Sequence, residues 1–102
     1  MMPIRPKTRR ISNLLPLLQE GAVLLDVRTE EEFVGCHIEG AVNIPLQELD
    51  RSMEILRSWK QPIIVYGAED SRSRRAVTKL RNHGITAVDG GARDKLLQLI
   101  YP

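Results

Sequence analysis

A chain of 102 residues has room for one domain and none for a second, and its 42% apolar content suits a soluble core with a thin stability margin. The formal charge of +2 is too small to imply nucleic acid on its own, and the single cysteine, Cys36, excludes an internal disulfide and a cysteine-rich metal site. No apolar run is long enough to span a membrane, and no apolar signal-type region follows the basic start MMPIRPKTRR, so a cytoplasmic location is expected.

Residues 1–10 carry Arg5, Lys7, Arg9 and Arg10 with Pro3 and Pro6. They read as an extended basic arm, with an edge strand possible near Thr8–Ile11. The arm is a solvated terminus on one reading and a nucleic-acid contact on the other; nucleic acid is disfavoured by the low net charge. Ser12 or Asn13 caps a short helix through Leu14–Gln19, with Pro16 in its first turn and Gly21 ending it. Ala22–Leu25 is a buried strand that delivers Asp26-Val27-Arg28 at its C-terminal end. Thr29 with Glu32 has capping-box spacing, and Glu30, Glu31 and Glu32 favour the positive end of a helix dipole. Phe33 and Val34 are its expected core contacts, and Gly35 closes it.

Cys36–Gly40 reads as a turn, and Ala41–Pro45 as a short strand stopped by proline. From Leu46 to Trp59 the residues Leu46, Leu49, Met53, Leu56 and Trp59 form one helical stripe, expected to be core. Ile63–Tyr66 is a β-branched strand ended by Gly67. The polar loop Gly67-Ala68-Glu69-Asp70-Ser71-Arg72 follows, then a helix carrying Ala76, Val77 and Leu80 that Gly84 stops. Ile85–Val88 is a strand, Asp89-Gly90-Gly91 a turn, and Lys95–Tyr101 a closing helix.

Strands alternating with helices through short loops predict an α/β fold with a parallel sheet. Sites in such sheets lie beyond the C-terminal strand ends, where Asp26–Arg28, the loop after Tyr66 and Asp89–Gly91 converge. A strand, tight loop and helix aim amide groups and a helix N-terminus at one point, which suits an anion.

The ordered set Leu25-Asp26-Val27-Arg28, Glu32-Phe33, His37-Ile38-Glu39-Gly40-Ala41-Val42-Asn43-Ile44-Pro45, Ile63–Tyr66, Arg72-Ser73 and Gly90-Gly91, with the closing Tyr101-Pro102, resembles the rhodanese-like domain. The resemblance covers about residues 11–102 and leaves 1–10 as the arm. It implies a three-layer sandwich, a five-stranded, mostly parallel sheet with helices on both faces. It also implies a chemistry in which a cysteine at the head of the loop carries sulfane sulfur as a persulfide. In this chain that position is Gly67, which has no side chain to carry sulfur. The six-residue loop length matches the sulfurtransferases; phosphatase relatives use a longer loop.

The expected site is therefore a binding loop, Gly67, Ala68, Glu69, Asp70, Ser71, Arg72 and Ser73, lined by Asp26, Arg28, Cys36 and His37, with no catalytic residue at the family position. Asp70 stands where active loops often place glycine; a left-handed backbone there costs on the order of 1 kcal/mol. Glu69 and Asp70 place negative charge where a thiolate or thiosulfate needs positive potential. Arg72 either braces the loop and holds an anion or neutralises Asp70 or Glu69. Asp26 and Arg28 read as structural, the family aspartate tying the strand end to backbone, and His37 as a satisfied turn residue. The basic helix face of Arg74, Arg75, Lys79 and Arg81 is solvated or meets a partner. The expected function is a rhodanese-like module that binds a partner protein or small anionic ligand at the loop, without sulfurtransferase activity. The alternative is sulfur transfer through Cys36 or a partner's cysteine. No cofactor, metal or membrane contact is expected.

Overall fold

The computed structural model describes residues 14–101. The basic arm and the edge strand expected near Thr8–Ile11 lie outside these residues. Helix α1 runs over residues 14–19. It is followed by β1 (Val23–Asp26), α2 (Glu30–Gly35), β2 (Val42–Asn43), two 3₁₀ turns (Leu46–Glu48 and Asp50–Ser52) and α3 (Met53–Ser58). Then come β3 (Ile63–Gly67), α4 (Asp70–Asn82), β4 (Ala87–Ala92) and α5 (Arg93–Ile100). No helix among the described residues is long and apolar enough to cross a membrane.

The described strands form one four-stranded sheet in the order β2-β1-β3-β4, with every pairing parallel. β3 is central and buried along its whole length, as an apolar β-branched run covered on both faces must be. Its side chains alternate between two cores. Ile63 and Val65 join Leu25, Leu49, Met53, Leu56, Ala76, Val77 and Leu80 on one face. Ile64 and Tyr66 join Leu14, Leu24, Ile38 and Leu96 on the other. The expected α/β architecture with helices on both faces is what the chain adopts, with four strands among the described residues in place of the five that the resemblance implied.

Val34, expected as a core contact of α2, is exposed, and Phe33 is only partly buried; two further stretches also differ from the sequence reading. The stripe from Leu46 to Trp59 is two 3₁₀ turns before a short helix rather than one helix. The Ser52 hydroxyl donates to the Glu48 carbonyl at 3.1 Å, and Ser52 takes φ −104°, ψ 5°, which interrupts a regular start. The stripe still faces inward, because Leu49, Met53 and Leu56 are buried. The second difference is that β4 continues through Asp89, Gly90 and Gly91, which were expected to turn. A Cβ on Gly90 would lie 2.8 Å from the Val65 carbonyl oxygen and 3.2 Å from Leu96, so only glycine lets β4 lie this close to β3 and α5. The ladder slips by one residue there, between Val65 and Tyr66.

Ile64 is fully buried, and an unpaired carboxylate at its position costs several kcal/mol, a large share of the whole stability of a small domain. Ile64→Asp is therefore expected to be unfolded at room temperature by circular dichroism. A cooperative melt at the wild-type midpoint would refute the placement of β3.

Candidate functional site

Gly67 closes β3 and is buried. Its φ is not in the left-handed region, so the backbone does not require glycine. A Cβ here would project into the turn, 3.1 Å from the Arg72 Cβ and 3.4 Å from both the Glu69 carbonyl oxygen and the Ser73 nitrogen. The helix begins earlier than its apolar spacing indicates. Glu69 is the N-cap residue in extended conformation, and Asp70, Ser71 and Arg72 form the first turn of α4. Ala68 and Glu69 are exposed. Glu69 makes no side-chain cap and accepts instead from the Ser71 hydroxyl at 3.0 Å.

Asp70 does not bear the backbone strain expected of it, because it lies in the helix and not in the left-handed region. Its carboxylate does not hang over the loop either. One oxygen accepts from the Ala92 amide at 2.9 Å and the other from the Lys95 ammonium at 3.0 Å. Lys95, and then the Ala92 amide, hold the Asp70 carboxyl below its usual range. Gly91, at φ +80°, gives the room, since a Cβ there would approach the Asp70 oxygen to 3.1 Å. Ser73 is buried and donates to the Asp89 carboxylate at 2.7 Å. Asp70 and Ser73 together stitch the start of α4 to β4.

Arg72 does not pair with Asp70 or Glu69. Its guanidinium lies 3.4 Å from Glu32 of α2, spanning from the loop helix to the neighbouring one. Glu32 also completes the expected capping box, accepting from the Thr29 amide at 2.9 Å while the Thr29 hydroxyl accepts from the Glu32 amide. These Thr29 contacts, assisted by Arg72 and Arg28, keep the Glu32 carboxyl below its usual range.

Asp26 and Arg28 form a buried pair under the strand ends. Asp26 accepts from the Arg28 amide at 2.8 Å, from Nε at 3.1 Å and from Nη2 at 2.9 Å. Nη2 also donates to the Cys36 carbonyl. Asn43 donates to the Asp26 and Arg28 carbonyls, each at 3.0 Å, and so anchors the two-residue strand β2. The guanidinium lies 5.9 Å from the centre of the Tyr66 ring. The Tyr66 hydroxyl accepts from the Ile38 amide at 3.2 Å, and burial pushes its phenol well above the ordinary range.

Cys36 and His37 are exposed and do not engage each other. The His37 ring stacks on Phe33 with centroids 3.8 Å apart, and its Nδ1 lies 2.8 Å from the Phe33 carbonyl oxygen. Cys36 instead meets Arg93, whose Nη1 lies 3.3 Å from Sγ. The sequence reading brought Asp89 to this region but missed Arg93 and Lys95 as neighbours of the loop. A signal was present: Arg93 and Lys95 put cations in the first turn of α5, where the helix dipole disfavours them. Such cations are explained by acceptors outside the helix, here Cys36 and Asp70, while Arg93 also donates to Asp94 of its own first turn. Beside the loop, a cleft of about 730 Å³ is lined by Arg72, Arg75 and Lys79 of α4, by Glu30, Glu31, Glu48 and Asp50, and by Val27 and Leu46.

The rhodanese-like domain model matches residues 12–94. The chain belongs to the rhodanese-like family. It is 43% identical to the protein YqhL of Bacillus subtilis over 67 residues, which is 66% of this chain and 52% of that protein. It is 36% identical to slr1261 of Synechocystis over 83% of this chain and 45% of that one. The chain thus spans about half the length of the curated relatives it matches. Among solved structures, it superposes on a rhodanese-related protein of Thermoplasma volcanium with a TM-score of 0.75 and 29% identity, covering 90% of this chain and 91% of that one. It superposes on the Anabaena Alr3790 protein with a TM-score of 0.73 and 30% identity, covering 90% and 87%.

Two predictions follow from the pairs under the loop. Removing one partner of a buried ion pair strands the other, so Asp26→Ala is expected to lower stability by about 3–5 kcal/mol in urea melts. A loss below 1 kcal/mol would refute the buried pair as the fastening of the β1 end. The second concerns acid. Asp70 and Glu32 have carboxyl groups depressed in the folded state. The unfolded chain therefore takes up protons first as pH falls, and the stability these carboxylates give above about pH 4.5 is lost below it. Asp70→Asn is expected to flatten the fall in Tm between about pH 5 and pH 3. An unchanged slope would refute a role for the Asp70–Lys95–Ala92 contact in acid stability.

Proposed function

We propose that this chain is a rhodanese-like binding or regulatory module whose loop does not carry sulfur. The observation that supports this most is Gly67. At the position implied for the persulfide carrier there is no sulfur, no nucleophile and no strained backbone to be relieved. Cysteine chemistry at this point needs a thiolate beneath the amides of the α4 start, and the turn interior is instead closed to within 3.1 Å by the Arg72 Cβ. The adjoining charged cleft suits recognition by a partner protein or a small anionic ligand near Arg72.

A second reading rests on Cys36. The Arg93 guanidinium lies 3.3 Å from its sulfur. A Cys36 thiolate would attack the outer sulfur of thiosulfate, forming a persulfide and releasing sulfite. Cyanide would then take that sulfur as thiocyanate and return the thiolate. His37 is turned to Phe33 and not to Cys36, its ring stacked on that side chain and its Nδ1 2.8 Å from the Phe33 carbonyl oxygen.

Thiocyanate release from thiosulfate and cyanide distinguishes the readings. The wild-type chain is expected to match the no-protein blank. Turnover lost in Cys36→Ser would overturn the binding-module reading in favour of the second. Gly67→Cys alone is expected to gain little, because the neighbouring Glu69 carboxylate repels an anionic donor. Gly67→Cys with Glu69→Ser is expected to release thiocyanate faster than the single variant. Equal rates would remove Glu69 as the electrostatic brake. Asp70 is left intact in both, since its carboxylate holds Ala92 and Lys95.

A further inference from the structure

We propose that the outer face of α4 docks a short acidic segment of a partner protein, in the groove of Ser71, Arg74, Arg75, Thr78 and Lys79. The groove encloses about 560 Å³ and is lined by two hydroxyls, two guanidinium groups and an ammonium, with no carboxylate. It stands apart from the loop reading and holds whether or not the loop or Cys36 handles sulfur.

Its free charge is fixed by where the nearby carboxylates are spent. Asp70 lies four residues before Arg74, the spacing at which an acid and a base pair along a helix. That carboxylate is drawn instead to Lys95 and the Ala92 amide, and it reaches Arg74 only through the field. Lys79 is held by Asp50 at 3.3 Å, and Arg72 by Glu32. Arg74 and Arg75 are exposed and make no hydrogen bond or ion pair with another described residue. Arg75 also stands three residues from Arg72 and four from Lys79, so like charges crowd one stripe of the helix. The fold gains nothing from this arrangement, whereas a carboxylate-bearing segment laid along the groove would answer both guanidinium groups.

The adjoining cleft decides the kind of partner. It shares Arg75 and Lys79 with the groove, and its far wall carries Glu30, Glu31, Glu48 and Asp50. A long uniform polyanion crossing α4 meets that wall and is repelled, while a short acidic stretch stays within the basic stripe. A peptide segment is therefore favoured over a nucleic acid.

The probe is a fluorescently labelled hexaglutamate peptide, titrated with the full chain and followed by anisotropy. Binding is expected at about 20 mM salt and should weaken at least about tenfold by 300 mM. Arg74→Glu with Arg75→Glu should weaken it at least about tenfold at low salt. The charge-matched control Arg57→Glu with Lys60→Glu should stay within about twofold of wild type. Thermal melts confirm that each variant is folded. Absence of binding at about 1 mM chain would overturn the proposal. So would equal weakening in the two double variants, which marks unspecific attraction. Tighter binding of a labelled oligothymidine, lost in the same Arg variant, would replace the acidic peptide with a nucleic acid. A dimer in light scattering that Arg74→Glu with Arg75→Glu dissociates would replace it with a second copy of the chain.

Discussion

The buried pair of Asp26 and Arg28 is the constraint from which the upper end of this molecule is hung. A carboxylate with no exposure is tolerable only when its charge and lone pairs are answered. Here one arginine answers it through both backbone and side chain. Arg28, held in this way, reaches the Cys36 carbonyl and lies against the Tyr66 ring. Asn43 then secures the carbonyls of both residues. The turn after α2, the edge strand β2 and the end of central β3 are thus positioned by one ion pair. The desolvation this demands is considerable, so such a pair specifies an arrangement more than it adds net stability.

Above that base, the loop region is organised by cross-links between elements, the Ser71–Glu69 bond aside. Arg72 goes to α2, Asp70 to the junction of β4 and α5, and Ser73 to Asp89. Arg72, Asp70 and Ser73 are each committed to a structural partner, and Gly67 contributes none. The result is a well-braced frame around a position without a reactive group, which is the physical content of the binding-module reading.

The fold was legible in the sequence because its signals are redundant. The β-branched run at Ile63, the capping box at Thr29 and the glycine stop at Gly84 each identify an element by local chemistry. The ordered motifs then fix the family. What stayed hidden was set by packing at a distance. Glycines in β4 read as a turn because their function, letting β4 approach Val65 and Leu96, involves atoms remote in sequence. The direction of a carboxylate is equally unreadable. Asp70 in a loop beside Glu69 looks like added negative charge over a pocket, yet the position of Lys95 turns it aside. Cys36 beside His37 looks like a couple, yet the partner of its sulfur is Arg93, far along the chain.

The strand order also bears on how the chain finds this structure. β3 meets β4 after a single intervening helix, whereas β1 meets β3 only after α2, β2 and α3 have been traversed. Closing the shorter connection costs less chain entropy, so β3, α4 and β4 form the natural nucleus. The β1–β3 ladder, and with it the Asp26–Arg28 pair beside Tyr66, is then laid onto a preformed half. The polar network beneath the loop would accordingly be among the later parts of the molecule to set. Changes there should act chiefly on the rate of unfolding, leaving the rate of folding nearly as it was.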